Sequence, residues 1–110
     1  MKKVFISYRF TGEKKDNLKK TILKLHKFVK NAGFECYSTI LDTDQFSSKK
    51  WSGKKIMQKA FAKIKDSDII LFFVNSDKVS EGMLLELGFT LAQNKKVVLA
   101  IHKNIKQSIY

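Results

Sequence analysis

The sequence predicts an α/β fold, three-layered, with a doubly wound parallel sheet between two layers of helix. Three observations predict it. Apolar runs rich in β-branched and aromatic residues recur at Val4 to Tyr8, Ile69 to Val74 and Val97 to Ile101. Continuous runs of this kind suit strands buried on both faces. Between them lie segments whose apolar residues repeat at helical spacing. The resulting β-α-β-α-β-α-β alternation implies right-handed crossovers and parallel pairing. A flavodoxin-like strand order, 2-1-3-4, is expected, with a fifth strand either missing or formed weakly by Ile105 to Tyr110.

Each element has its own justification. Val4 to Tyr8 is the first strand, and Phe10-Thr11-Gly12-Glu13 after it is a turn with cap character. Leu18, Ile22, Leu25 and Val29, widened by Phe28 and Ala32, mark a helix whose other face is filled with lysine. His26 reads as a surface residue of that helix. Gly33 suits a left-handed C-terminal cap. Phe34 to Ser38 is a short second strand containing Cys36, which reads as a buried hydrophobe. Thr39 to Lys50 is a polar connection with an isolated Phe46. Ile56, Ala60 and Ile64, beside Met57 and Phe61, place a second helix starting near Trp51 or Ser52. Asp68 opens the third strand. Met83, Leu84, Leu87, Leu91 and Ala92 are expected to form the buried face of a third helix, which stops near Asn94. Val97 to Ile101 is the fourth strand.

Composition narrows the function. A chain of 110 residues, 44% of them hydrophobic, makes one domain with a real core. No apolar run nears the roughly 20 residues of a membrane span. The basic opening lacks a signal-type apolar region, so a cytoplasmic protein is expected. One cysteine and two histidines exclude a disulfide framework and disfavour structural zinc; no cofactor or metal is expected. The net charge of +12 raises the question of nucleic acid. Against it, only Arg9 among the 22 basic residues is arginine, and the lysines spread through the helices and turns as solvated faces. Anionic small ligands remain compatible with that charge.

The stretch from Asp68 to Phe89 holds the candidate chemistry. In open parallel sheets, ligands bind outside the carboxyl ends of the strands, against the amino ends of the following helices. Glu86 falls in the early turns of such a helix, near a buried face, where a carboxylate needs a polar partner or a ligand. The plain alternative, a solvated helix-edge charge, stands beside it. Ser80, Glu81 and Gly82 could cradle an anion at the helix amino terminus, or Ser80 could be an ordinary cap. Tyr8, Arg9 and Phe10 follow the first strand on the same edge, where Arg9 could meet Glu86 or a phosphate. From the residues alone, Asp68 is a turn or cap residue lying far along the sheet from this loop. Trp51 and Phe46 could stack on a base or belong to the core. No Ser-His-Asp arrangement, phosphate-binding glycine loop or HExxH segment occurs.

The run Ser80-Glu81-Gly82-Met83-Leu84-Leu85-Glu86-Leu87-Gly88-Phe89-Thr90, followed by Lys95-Lys96-Val97-Val98-Leu99, resembles the signature of the nucleoside 2-deoxyribosyltransferase family, which includes deoxynucleoside 5′-monophosphate N-glycosidases. The resemblance spans nearly the whole chain. It implies cleavage of the N-glycosidic bond of a deoxynucleoside or its 5′-monophosphate, by hydrolysis or by deoxyribosyl transfer. It implies Glu86 as the nucleophile at the anomeric carbon and Asp68 as the group that assists at the base or orients the nucleophile. Ser80 and Gly82 match the loop that holds the sugar or its 5′-phosphate. Tyr8, Arg9, Phe10 and Gly12 fall where the family binds nucleotide, although this sequence lacks the glycine usual just after the first strand. A homo-oligomer is implied as well, because the family's sites are completed by a neighbouring subunit. The opening Val4-Phe5-Ile6-Ser7-Tyr8-Arg9, with Gly12-Glu13, also resembles Toll/interleukin-1-receptor domains, some of which cleave NAD. A non-catalytic nucleotide-binding or interaction module of the same fold is the third reading.

Overall fold

The structure, a computed structural model, describes residues 2–8, 15–42, 48–74 and 81–101. In chain order these form β1 (Lys3–Tyr8), α1 (Lys15–Asn31), β2 (Glu35–Tyr37), a 3-10 turn (Thr39–Asp42), α2 (Gly53–Lys65), β3 (Ile69–Val74), α3 (Glu81–Ala92) and β4 (Lys96–Ile101). The four strands make one parallel sheet in the order β2-β1-β3-β4. That is the expected order. The segment Ile105 to Tyr110, a candidate fifth strand, lies outside the described residues, as does Phe46.

Strand alternation divides the core into two layers. Val4, Ile6 and Tyr8 point to one face with Phe73, where Leu18, Ile22 and Val29 of α1 cover them. Phe5, Ile70, Phe72 and Val74 point to the other, against Ala60 and Ile64 of α2 and Met83 of α3. Phe5, Ile6, Ile22, Ile64, Ile70 and Phe72 are essentially inaccessible. Each such side chain contributes about 1.5–3 kcal/mol of transfer free energy.

Local signals act where the sequence places them. Gly33 takes φ +95° and closes α1, while the N–H of Phe34 returns to the carbonyl of Val29. Ser52 caps α2, its hydroxyl accepting from the N–H of Lys55 at 3.2 Å. Asn94 ends α3 in the left-handed region at φ 54°. Cys36 is half-buried and its thiol is pushed up to about 11 by desolvation, as befits an inert core sulfur.

Two helix faces differ from expectation. Phe28 is 74% exposed and Ala32 is exposed too, while His26 is buried at 4%. The buried stripe of α1 therefore runs Leu18, Ile22, His26, Val29, a helical spacing that admits a histidine in place of an aliphatic residue. Its Nε2 lies 2.7 Å from Ser38 Oγ, while its Nδ1 is buried with no partner among the described residues. In α3 the inward face is Met83, Glu86 and Thr90, with Leu87 packed beside them. Leu84 and Leu91, expected inside, are exposed, and so is Ala92. Because apolar residues surround nearly the whole of α3, the leucines alone could not set its rotation.

Candidate active site at the carboxyl edge of the sheet

Ser7, one residue before the end of β1, lies beside Phe72 of β3 and shares its face with Phe5. It points at α3. The first turns of α3 bring Glu86 over this end of the sheet, and Ser7 Oγ donates a 2.6 Å hydrogen bond to Glu86 Oε1. Both residues are buried, Glu86 at 8% exposure. One turn further on, Thr90 Oγ1 donates to the carbonyl of Glu86 at 2.7 Å, fixing the backbone beneath the carboxylate. The solvated-edge reading of Glu86 is thereby excluded.

Desolvation dominates the electrostatics of this carboxylate. Burial raises the Glu86 pKa to about 7, against a smaller lowering by the Ser7 hydroxyl. The group is thus poised between acid and carboxylate at neutral pH. Ser7 escaped notice in the sequence because it sits inside an apolar strand. The available signal was its parity: a polar residue on the face that also carries Phe5 needs a partner.

The other expected site residues are placed as follows. Tyr8 alternates to the opposite face and packs among Val4, Ile6 and Leu18. Its hydroxyl lies 3.1 Å from Thr39 Oγ1, and its pKa rises to about 12 through burial, with a smaller contribution from the charge of Glu86. Gly82 lies in the first turn of α3, where an added Cβ would meet, among the described residues, the Met57 methyl at 3.6 Å. Arg9, Phe10, Gly12 and Ser80 lie outside the described residues.

Asp68 is not brought to Glu86. It precedes β3 at the amino edge, where its Oδ2 accepts the N–H of Lys3 at 2.9 Å and its own N–H donates to the Lys3 carbonyl. Four residues of strand separate it from Phe72, the neighbour of Ser7, a separation of about 13 Å. The aspartate matched by family resemblance thus clamps the start of β1, as its local sequence had suggested.

A second polar cluster flanks β2. Tyr37 Oη donates to Asp42, which also pairs with Lys59 Nζ at 2.8 Å. Burial works to raise the Asp42 pKa, but the bonds from Lys59 and Tyr37 outweigh it and hold the carboxyl below its ordinary value. Lys55 Nζ sits 4.2 Å from the ring centre of the half-buried Trp51, a cation–π contact. Among the described residues no group of three or more His, Cys, Asp or Glu is arranged to hold a metal ion. Nor is any helix among them long and apolar enough to cross a membrane.

A profile of the nucleoside 2-deoxyribosyltransferase family matches residues 7–107, almost the entire chain. The chain belongs to that family. It is therefore an enzyme of the nucleoside 2-deoxyribosyltransferase family. Solved structures agree on the fold. A CMP N-glycosidase from Clostridium botulinum superposes with a TM-score of 0.69 at 24% identity, over 98% of this chain and 75% of that one. A 2-deoxyribosyltransferase from Bacillus psychrosaccharolyticus gives 0.74 at 20% identity, covering 98% and 77%. The corresponding enzyme of Leishmania mexicana gives 0.71 at 18% identity, covering 92% and 65%. A search of curated protein sequences finds no significant match.

Proposed function

We propose that this enzyme cleaves the N-glycosidic bond of a deoxynucleoside or deoxynucleoside 5′-monophosphate, with Glu86 as nucleophile. The observation behind this reading is the buried Glu86 carboxylate, bonded to Ser7 at the carboxyl edge of the sheet and raised to about 7. In the first step a Glu86 oxygen forms a bond to the anomeric carbon. The bond from that carbon to the base nitrogen breaks, and the base leaves with the electron pair and takes up a proton from solvent, to which the attacking water or base of the second step returns one. In the second step water, or the nitrogen of another base, attacks the same carbon and releases the carboxylate. Both steps pass through oxocarbenium character, which an adjacent carboxylate stabilises.

Substrate contacts are assigned to the edge around Glu86. Ser80 and Gly82 hold the sugar or its 5′-phosphate; Gly82 lies in the first turn of α3, where free backbone N–H groups favour anions. Arg9, Phe10 and Gly12 take the rest of the nucleotide, while Tyr8, expected among them, is buried in the layer under α1. The lysine excess favours a phosphorylated substrate. Asp68 has no part in this mechanism.

The proposed assembly is a homo-oligomer formed through the outer face of α3. Leu84, Leu85 and Leu91 are 37%, 58% and 61% exposed there, around the open Gly88. No lysine occurs between Lys78 and Lys95, so α3 departs from the lysine-bearing helices expected of this chain. Two copies can therefore meet on this face without opposing cations. Leu91→Glu is expected to yield monomers by analytical ultracentrifugation.

Release of free base across the common deoxynucleosides and their 5′-monophosphates, followed by chromatography beside NAD cleavage, tests the reading. Base release from a deoxynucleoside substrate that vanishes in Glu86→Gln supports it. Cleavage of NAD alone, or full activity in Glu86→Gln, sinks it.

A further inference from the structure

We propose that Ser7 is a positioning residue, whose hydroxyl ties down Oε1 of Glu86 so that Oε2 is the oxygen presented to the sugar. This rests on the reading of Glu86 as the nucleophile. It begins from an oddity of packing. Ser7 is 1% exposed, in a strand whose neighbouring positions are Ile6 and Tyr8 and whose partner across the sheet is Phe72. A hydroxyl there costs desolvation that an alanine would not, unless its bond does something.

The bond has a definite polarity and strength. An ionised carboxylate only accepts, so Ser7 must donate to it. Its length, 2.6 Å, falls within the range of charge-assisted O–H···O⁻ bonds. The hydroxyl therefore acts on two properties of Glu86. It selects the orientation of the terminal carboxyl group, a soft torsion with a broad preference. It also favours the ionised form, the only form that can attack carbon. Thr90 secures the backbone of the same residue from within the helix. Glu86 is thus held at both its carbonyl and its carboxyl group, as a nucleophile that must meet carbon along one line requires.

Among the described residues few other groups tune this carboxylate. Its shift arises from burial and from Ser7, and among the described residues the phenol that registers its charge is Tyr8 of β1. Phe72, the strand neighbour of Ser7, belongs to an apolar layer with Ala60, Val74 and Met83, none of which carries a charge.

The test uses Ser7→Ala, Ser7→Thr and Glu86→Gln of the full chain, with two readouts. In steady-state kinetics, Ser7→Ala is expected to lower kcat by about 10- to 100-fold with KM changed less than about twofold. The acid limb of its kcat/KM profile is expected to move up by about one pH unit. Ser7→Thr, which keeps a hydroxyl on the same carbon, returns both towards wild type. In carboxyl 13C NMR, which needs no substrate, the Glu86 signal of Ser7→Ala titrates at correspondingly higher pH. An unmoved acid limb and unmoved Glu86 titration in Ser7→Ala overturn the inference. So does a loss of kcat that tracks a loss of melting temperature and is not rescued by Ser7→Thr. An inactive Glu86→Gln beside an Ser7→Ala indistinguishable from wild type overturns this inference alone. An active Glu86→Gln overturns it together with the reading of the nucleophile.

Discussion

The two ends of the sheet each hold a carboxylate bonded to β1, and they have opposite characters. At the carboxyl edge Glu86 accepts from a buried hydroxyl, and burial lifts its pKa to about 7. At the amino edge Asp68 accepts from the backbone N–H of Lys3, and the neighbouring Asp66 pairs with Lys3 Nζ at 3.0 Å in the open. The hydrogen bond and ion pair with Lys3 hold Asp66 below its ordinary value. One end conceals a charge at a cost; the other displays charges that water would accept anyway. The second arrangement costs little in water, whereas the first carries a desolvation cost that the proposed catalytic role accounts for.

Activity should separate the ends most sharply. Glu86→Gln keeps the shape of the side chain and removes the nucleophile, so base release is expected to fall by about a thousandfold or more. Asp68→Asn retains an oxygen for the Lys3 N–H and is expected to leave kcat within about threefold of wild type, because it lies a strand's length away. The same chromatographic assay reads both. If Asp68→Asn were as damaging as Glu86→Gln, the assignment of the site to the carboxyl edge would fail.

Stability should show the next largest difference, with a definite sign. The folded-state pKa of Glu86 lies above its unfolded value of 4.5. Its contribution is therefore fully favourable below pH 4.5 and is lost as pH rises through about 7. A shift of this size corresponds to at most about 3 kcal/mol at pH 8. Glu86→Gln is accordingly expected to be more stable than wild type at pH 8 and nearly equal to it at pH 4.5, by urea denaturation. An unaltered difference between those pH values would mean that the carboxylate is better solvated than its burial indicates. The more stable, inactive variant would show stability given up for activity.

The comparison also explains what the sequence could disclose. Strand order and strand positions were legible, because Ile69 to Val74 and its counterparts are continuous apolar runs between helical stripes. The cap at Gly33 was legible, and so were the approximate start of α2, near Trp51 or Ser52, and the stop of α3 near Asn94. Helix rotation was legible only where lysines marked the outside. In α3 they do not, so Leu84, Leu91 and Ala92 read as core while Glu86 and Thr90 took the inner face. His26 misled for the converse reason: it stands among lysines, yet its partner, Ser38, is twelve residues away and invisible to periodicity. Ser7 and Glu86 are separated by 79 positions, and nothing local couples a strand serine to a helix glutamate. Asp68 shows where resemblance and geometry part, since its placement before β3 was readable from the strand itself.

The smallest expected effect lies in the exposed pair at the amino edge. Lys3 and Asp66 retain 46% and 63% of their side-chain exposure, so solvent screens their attraction and their long side chains lose entropy in pairing. Lys3→Met and Asp66→Asn are expected to leave the urea midpoint at pH 7 unchanged within error, singly or together. Because the Asp66 pKa is lowered, any contribution from the pair is present above the ordinary carboxylate range and fades as pH falls through it. It should also disappear in molar salt, where the screening length shrinks to about 3 Å. A clear, salt-resistant loss in either variant would mean that this edge is less wet than it looks. The contrast between a buried, functional carboxylate and an exposed, structural one would then have to be redrawn around Asp68, whose bond to the Lys3 backbone does not depend on either charge.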